Sequence, residues 1–403
     1  MPTHCVLEDD APNDHCHDDV LESLRAPSQS PQTGERPSAN SEPEICRHSA
    51  AEEDSGGFEV QARSRDVSQK AVSGSGRATL LGSRSRVYYG SEPVAKRSGL
   101  MVTGLTSEAE IADFWQAHPC GDHLLGGLDE RFRGDYLAFF NAYDAARYRL
   151  ESHIPDCLDA LDLRDRRVLE IGLGQGAESE GLIRRGARWT GIDLTAEAVR
   201  RVSLRLSLHD LPYEGIAQAS ATAIPFPDHS FDMVFSHGVL HHIPNIEAAQ
   251  AEIARVLRPG GRLVAMLYAR QSLNYLVSIN VIRRGAVLAS WPLRRHVRRG
   301  LLGAHLRNAE REGLGNYLRM ERFVHASTDG PDSPFARVYD TAAVERDFSA
   351  FEVVRVHKEF MHAPPLPVHG LPGGRLMGWH LWVELQVRGD NEPKLIAPQD
   401  VES

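Results

Sequence analysis

From Arg167 onward, short apolar runs alternate with amphipathic stretches. Val168–Ile171, Trp189–Ile192, Gly215–Gln218, Phe231–Ser236 and Arg262–Leu267 read as strands, and Glu178–Arg185, Ala196–Leu208 and Ile246–Leu257 as helices. Regular alternation of this kind predicts an α/β fold whose parallel sheet is covered by helices on both faces. After Tyr268 the pattern breaks, then resumes with a helix at Thr341–Phe348 and strands at Phe351–His357 and Trp379–Val387, which brings the count to seven strands, mostly parallel. The interruption reads as an insertion after the fifth strand, a cap over residues 269–335. Insertions at the carboxyl ends of such strands sit where ligands bind.

Ahead of the sheet, Ser107 to Trp115 reads as a capped helix and Gly134 to about Ile154 as a second one. The second places Tyr136, Phe139, Phe140, Tyr143 and Tyr148 at helical spacings, a stripe read first as core packing. The functional alternative makes Phe114, Trp115, Tyr143, Arg147 and Tyr148 the rim of a site. Residues 1–99 are rich in Ser, Pro, Gly, Glu and Arg and show no sustained period, so they predict a disordered extension with a short strand or hook at Val87, Tyr88 and Tyr89. The domain plan is therefore an extension (1–99), a helical lid (100–166), a core (167–388) carrying the cap, and a flexible tail (389–403).

Charge changes the picture only once it is located. Residues 1–60 hold fourteen acidic and three basic residues, so the formal charge of −10 is confined there, and residues 61–403 balance 42 basic against 41 acidic residues. A nearly neutral folded part gives no whole-domain steering toward nucleic acid. One local exception is the cap, where Arg283, Arg284, Arg294, Arg295, Arg298 and Arg299 interleave with Ile282, Val287, Leu288, Leu293 and Leu301. Such a stretch suits an anionic substrate, a carrier protein, a membrane surface, or plain solvation. No apolar run is long enough for a membrane span, and the acidic start does not resemble a targeting signal, so a cytoplasmic location is expected. The five cysteines predict reduced thiols rather than a disulfide framework. His4, Cys5, His15, Cys16, His17, Cys46 and His48 match no compact metal module and read as solvated residues.

Chemistry concentrates at Gly172-Leu173-Gly174-Gln175-Gly176-Ala177, which follows a strand and opens a helix, the context in which a glycine-rich loop binds a cofactor. Alone, the loop fits a dinucleotide as well. Glu170, two residues earlier, argues against a pyrophosphate and suits a ligand whose near end is an ammonium group, while Asp193 is placed to accept both hydroxyls of a ribose.

Five blocks then run in order: Val168-Leu169-Glu170-Ile171-Gly172; Gly191-Ile192-Asp193-Leu194; Ile224 to Val234; Val239-Leu240-His241-His242; and Arg255 to Gly261. Their succession resembles that of the class I S-adenosylmethionine-dependent methyltransferases, in particular the small-molecule branch of ubiquinone and menaquinone methylases. The resemblance implies a Rossmann-like sheet and S-adenosylmethionine (SAM) as cofactor. It also implies that Glu170, Gly172, Gly174 and Gly176 line the methionine end, Asp193 binds the ribose and Leu194 flanks the adenine. Family members usually carry Asp-Ala after the third strand. Here Ser220-Ala221 stands instead, leaving a hydroxyl or backbone contact. Ser236 and His237 would run past the sulfonium toward the acceptor.

Methyl transfer from a sulfonium asks for alignment, desolvation and, for a protonated nucleophile, a base. It demands no metal. His237, His241 and His242 are the base candidates, with His241 preferred on the family's usual position. The fourth strand ends in Ser236-His237-Gly238 without the motif that grips a nucleobase amino group, so a small organic acceptor methylated at O, C or N, of quinone-like or specialised metabolism, is expected. A nicotinamide oxidoreductase and a non-catalytic SAM-binding module are the rivals. Asn274, Tyr275, Asn316, Tyr317, Asp329, Arg337 and Tyr339 are candidates for a polar pocket under the cap, and Cys120 for a pocket residue rather than a nucleophile.

Overall fold

A computed structural model describes residues 86–88, 106–120, 125 and 131–389. Apart from residues 86–88 and 389, the expected disordered extension (1–99) and flexible tail (389–403) lie outside the described residues.

Eight strands form one sheet: β1 Arg86–Tyr88, β2 Arg167–Ile171, β3 Arg188–Asp193, β4 Gly215–Gln218, β5 Phe231–His237, β6 Leu257–Tyr268, β7 Phe351–Glu359 and β8 His380–Val387. Their order is β1-β4-β3-β2-β5-β6-β8-β7. All seven expected strands are present, and β1 adds an eighth by pairing parallel to β4, where the short strand near Val87 was anticipated. β2 through β6 run parallel to one another, while β8 is antiparallel to both β6 and β7. Strand order reverses between β2 and β5, so the crevice at their carboxyl ends is the topological switch point.

Alternate residues of β2 feed two cores. Leu169 and Ile171 pack with Ile253, Val256 and Val344 on one face, whereas Val168 packs with Leu158, Leu182, Trp189 and Leu206 on the other. The helices Ile246–Val256 and Thr341–Asp347 therefore cover the first face, and His153–Asp159, Ala177–Arg184 and Ala196–Leu208 the second.

The first amino-terminal helix, Glu108–Ala117, begins in a full capping box in which Ser107 and Glu110 each satisfy the other's backbone N–H. The next helix runs Tyr136–Leu150. Its Phe139, Phe140 and Tyr143 are buried together, so the aromatic stripe is core packing as first read, and only Tyr143 and Arg147 also face the cavity described below.

Residues 269–335 fold into helical segments Asn274–Arg283, Arg284–Ser290, Gly300–Glu312, Leu314–Tyr317 and Met320–Thr328. They enclose their own apolar cluster of Ile279, Val287, Leu306, Tyr317 and Phe323. The polar pocket expected there does not form as drawn. Tyr275, Arg337 and Tyr339 line a separate cleft with Arg270 and His325, Tyr317 is buried against His305, and Asn316 is exposed.

Candidate active site

A cavity of about 260 Å³ opens at the switch point. Glu170, Gly172, Gly174, Asp193, Leu194, Ser220 and Ala221 line it, as do His237 and His242. The expected residues thus converge, although the side chains do different work from that anticipated.

The glycine loop leaves β2 with Gly172 at φ +81°. A Cβ there would lie 2.1 Å from Val239, so the close approach of this loop to the turn after β5 excludes any side chain. At Gly174 a Cβ would meet only Cys120, at 3.9 Å, and would otherwise project into open space, leaving bare backbone against the cavity. Gly176 does not line the cavity. It caps the helix Ala177–Arg184 and packs against Val202 and Arg205.

Asp193 holds this loop in place. Its Oδ2 accepts from the Leu173 N–H at 2.7 Å, and its Oδ1 accepts from both the N–H and the hydroxyl of Thr195 at 2.8 Å. A carboxylate offers about four acceptor positions. Three of these are engaged by Leu173 and Thr195, and Asp193 still lines the cavity on the side expected for the ribose.

Glu170 is buried and accepts from the Trp189 indole N–H at 2.7 Å. The indole lies across Gly191, where a Cβ would come within 2.4 Å of the ring, so Gly191 supplies the space that lets Trp189 reach Glu170. Burial pushes the Glu170 carboxyl up to about 8. Ser236 is also buried, but its hydroxyl donates to the Ile171 carbonyl at 3.0 Å, tying β5 to β2 instead of facing the cavity. The Ser220 hydroxyl is engaged within its own turn, accepting from the Thr222 N–H at 3.0 Å.

The three histidines separate by environment. His241 does not line the cavity. It is fully buried with its ring centroid 3.8 Å from that of Tyr268, and burial lowers its pKa well below the usual range. The preference for His241 is corrected on this ground. His237 faces the cavity, but its Nδ1 accepts from Arg147 Nη2 at 3.2 Å because a guanidinium can only donate. The neutral ring therefore carries its proton on Nε2, and burial pushes the pKa down to about 3. Arg147 in turn donates twice to Glu178, at 2.6 and 2.8 Å.

His242 has the opposite tautomer. Its Nδ1 lies 2.7 Å from the Phe335 carbonyl, which can only accept, so Nδ1 holds a proton and, in the neutral ring, Nε2 is the accepting nitrogen. That nitrogen stands 3.4 Å from Asp329 Oδ2, and the other Asp329 oxygen accepts from the Tyr268 hydroxyl at 2.8 Å. Trp115 packs edge-on against the ring at 5.3 Å. Cys120 lines the cavity through the loop segment whose carbonyl accepts from Gln175. Sequence reasoning missed Glu178, Trp189, Tyr268 and Phe335. Each works through a partner on another element, so spacing along the chain carried no signal for them.

Residues 169–265 match a family described as the methyltransferase domain. Over 117 residues the chain is 35% identical to the fatty-acid O-methyltransferase of Mycolicibacterium smegmatis, an alignment covering 28% of this chain and 41% of that protein. Over 141 residues it is 33% identical to the ubiquinone biosynthesis O-methyltransferase of Alkalilimnicola ehrlichii, covering 34% and 54% respectively. The chain thus spans about half the length of these relatives. Among solved structures, a SAM-dependent methyltransferase from Aquifex aeolicus aligns with 62% of this chain and 98% of its own, at 15% identity and a TM-score of 0.38. Residues 169–265 are thus similar to the methyltransferase domain family, within a sheet of the order described above.

Proposed function

We propose that this protein transfers the methyl group of SAM to a small, largely apolar organic acceptor through a proton-accepting His242. The observation that carries the reading is the bare-backbone niche at Gly172 and Gly174, flanked by Glu170 and Asp193 at the ends of adjacent parallel strands. These residues fit SAM. A cradle without side chains admits close contact, and buried acids suit its ammonium group. When bound, SAM supplies a methyl group already activated on a sulfonium.

The residues of the chain do the remainder. Glu170 faces the amino-acid end, where an ammonium ligand would favour the ionised carboxylate that burial opposes. Asp193 fixes the loop and offers its last acceptor position to the ribose. Leu194, Ser220 and Ala221 form the adenine side. Ile111, Trp115, Pro119, Tyr143 and Ile243 wall the cavity with mostly apolar surface and exclude water. A proton released by a hydroxyl, enol or amine acceptor goes to His242 Nε2, the Phe335 carbonyl keeps the ring oriented, and Asp329 steadies the imidazolium. The apolar wall and the lipid and quinone chemistry named for the two relatives support an acceptor of that kind.

Calorimetric titration with SAM, followed by radiolabelled methyl transfer into organic extracts, tests the reading. One saturable site and a labelled product are expected. NADH binding that SAM does not displace would overturn the proposal in favour of an oxidoreductase, and tight SAM binding without any labelled product would favour a non-catalytic module.

A further inference from the structure

The outward face of the cap is apolar where a solvated helix would be polar. Val281, Gly285, Leu288 and Ala289 recur one and two helical turns apart, and all are exposed, as are Pro292 and Leu293 beyond them. The three largest side chains, Val281, Leu288 and Leu293, are 60%, 57% and 56% exposed. Ile279 and Val287, on the opposite side, are the ones buried in the cap's own core. Single exposed leucines are ordinary on a soluble protein, but an uncharged apolar row along one helix is not.

Along the chain, the charges that flank the row have one sign. Between Asn274 and Ala309 the chain carries seven arginines and no acidic residue. Arg294 and Arg298 pair with Glu310 at 3.3 and 3.0 Å, and Arg284 bonds Asn280. Arg295 and Arg299 are exposed and form no ion pair or side-chain hydrogen bond among the described residues. An exposed apolar ridge followed along the chain by unpaired guanidinium groups is complementary to a surface that is oily inside and anionic outside. An acidic, serine- and proline-rich segment such as residues 1–60 would satisfy the arginines but leave Val281, Leu288 and Leu293 in water.

We infer that this face of the cap docks the protein on an anionic lipid surface, with Val281, Leu288 and Leu293 entering the headgroup–acyl boundary and Arg295 and Arg299 meeting lipid phosphates. The helix lies in the plane of the interface and does not cross it, in keeping with the finding that no helix among the described residues is long and apolar enough to span a membrane. The inference stands apart from the methyl-transfer reading, since it uses no residue of the cavity.

Flotation of the full chain with vesicles tests it. Vesicles containing phosphatidylglycerol should carry the protein, vesicles of phosphatidylcholine alone should not, and added salt should weaken the effect. Each arginine near an anionic surface contributes about fivefold, so R295Q/R299Q should lower the vesicle affinity by about 25-fold. V281S/L288S should lower it by about tenfold. Both variants replace exposed side chains, and unchanged circular dichroism would show that the fold survives. The inference is overturned if the wild type ignores anionic vesicles or if neither variant weakens the binding. A vesicle-independent dimer dissociated by V281S/L288S would also overturn it and assign the face to a second copy of the chain.

Discussion

The two ends of the cavity are built from different materials. At the cofactor end the working groups are backbone, and their positions are set locally: Gly172 to Gly176 turn against Asp193 at the end of the neighbouring strand, whose carboxylate accepts from the Leu173 and Thr195 amides. At the acceptor end the working groups are side chains held by partners distant in the chain, for His242 is oriented by Phe335 and Asp329 near the carboxyl end of the cap. The first end tolerates no added atoms, whereas the second depends on a few hydrogen bonds. Substitutions should therefore fail differently at the two ends.

Gly172→Ala is the hardest test of the backbone end. The new methyl group would sit at 2.1 Å from Val239 in a left-handed conformation, so SAM binding should vanish in calorimetry and the fold should lose about 2–4 kcal/mol in denaturant titration. His242→Gln tests the side-chain end. The methyl-transfer rate should fall by about 10²–10⁴-fold while SAM affinity stays within a few-fold of wild type, a split that a structural role would not give. His241→Leu, at a residue outside the cavity, should leave both nearly unchanged, and a large loss of rate there would reverse the assignment of the base.

Asp193→Asn is gentler than Gly172→Ala because the amide oxygen still accepts on one side, although its NH2 must then face the donors on the other. The loop amides lose a charge-assisted partner, so SAM affinity should drop by about ten- to hundredfold, with some loss of thermal stability. Glu170 gives the smallest and most diagnostic effect. Its folded-state pKa of about 8 lies above the ordinary 4.5, so the folded protein holds this proton more tightly than the unfolded chain does. The stability it contributes is fully present below about pH 4.5 and is lost as pH rises toward 8. Glu170→Gln keeps an acceptor for Trp189 and should flatten that decline, gaining on the order of 1–3 kcal/mol near pH 8 while binding SAM more weakly.

This contrast also explains what the residues disclosed beforehand. Helix Ala196–Leu208 and strand Gly215–Gln218 fall where the apolar pattern put them, because one face of each must be buried locally. The glycine loop was legible for the same reason, since a left-handed residue after a strand has few other meanings. The role of Asp193 was half legible: its place at the strand end was evident, but its engagement by Leu173 and Thr195 depends on loop geometry that spacing does not reveal. The choice among the three histidines was not legible at all. It turns on which carbonyl or guanidinium meets each ring, and those partners, Phe335 and Arg147, lie about ninety residues away. The cap's helices were equally hidden, because an arginine-rich stretch with an apolar outer face has no pattern that separates buried from exposed.

Strand β1 has a practical consequence for anyone shortening this chain. Three residues, Arg86 to Tyr88, supply the hydrogen-bonding partner for the outer side of β4. A truncation ending just before residue 85 keeps that border closed. One that starts at the capping box of Ser107 strips it, leaving a row of unsatisfied amides and carbonyls available to pair with a neighbouring molecule, and precipitation of such a fragment would reflect the cut and not the core.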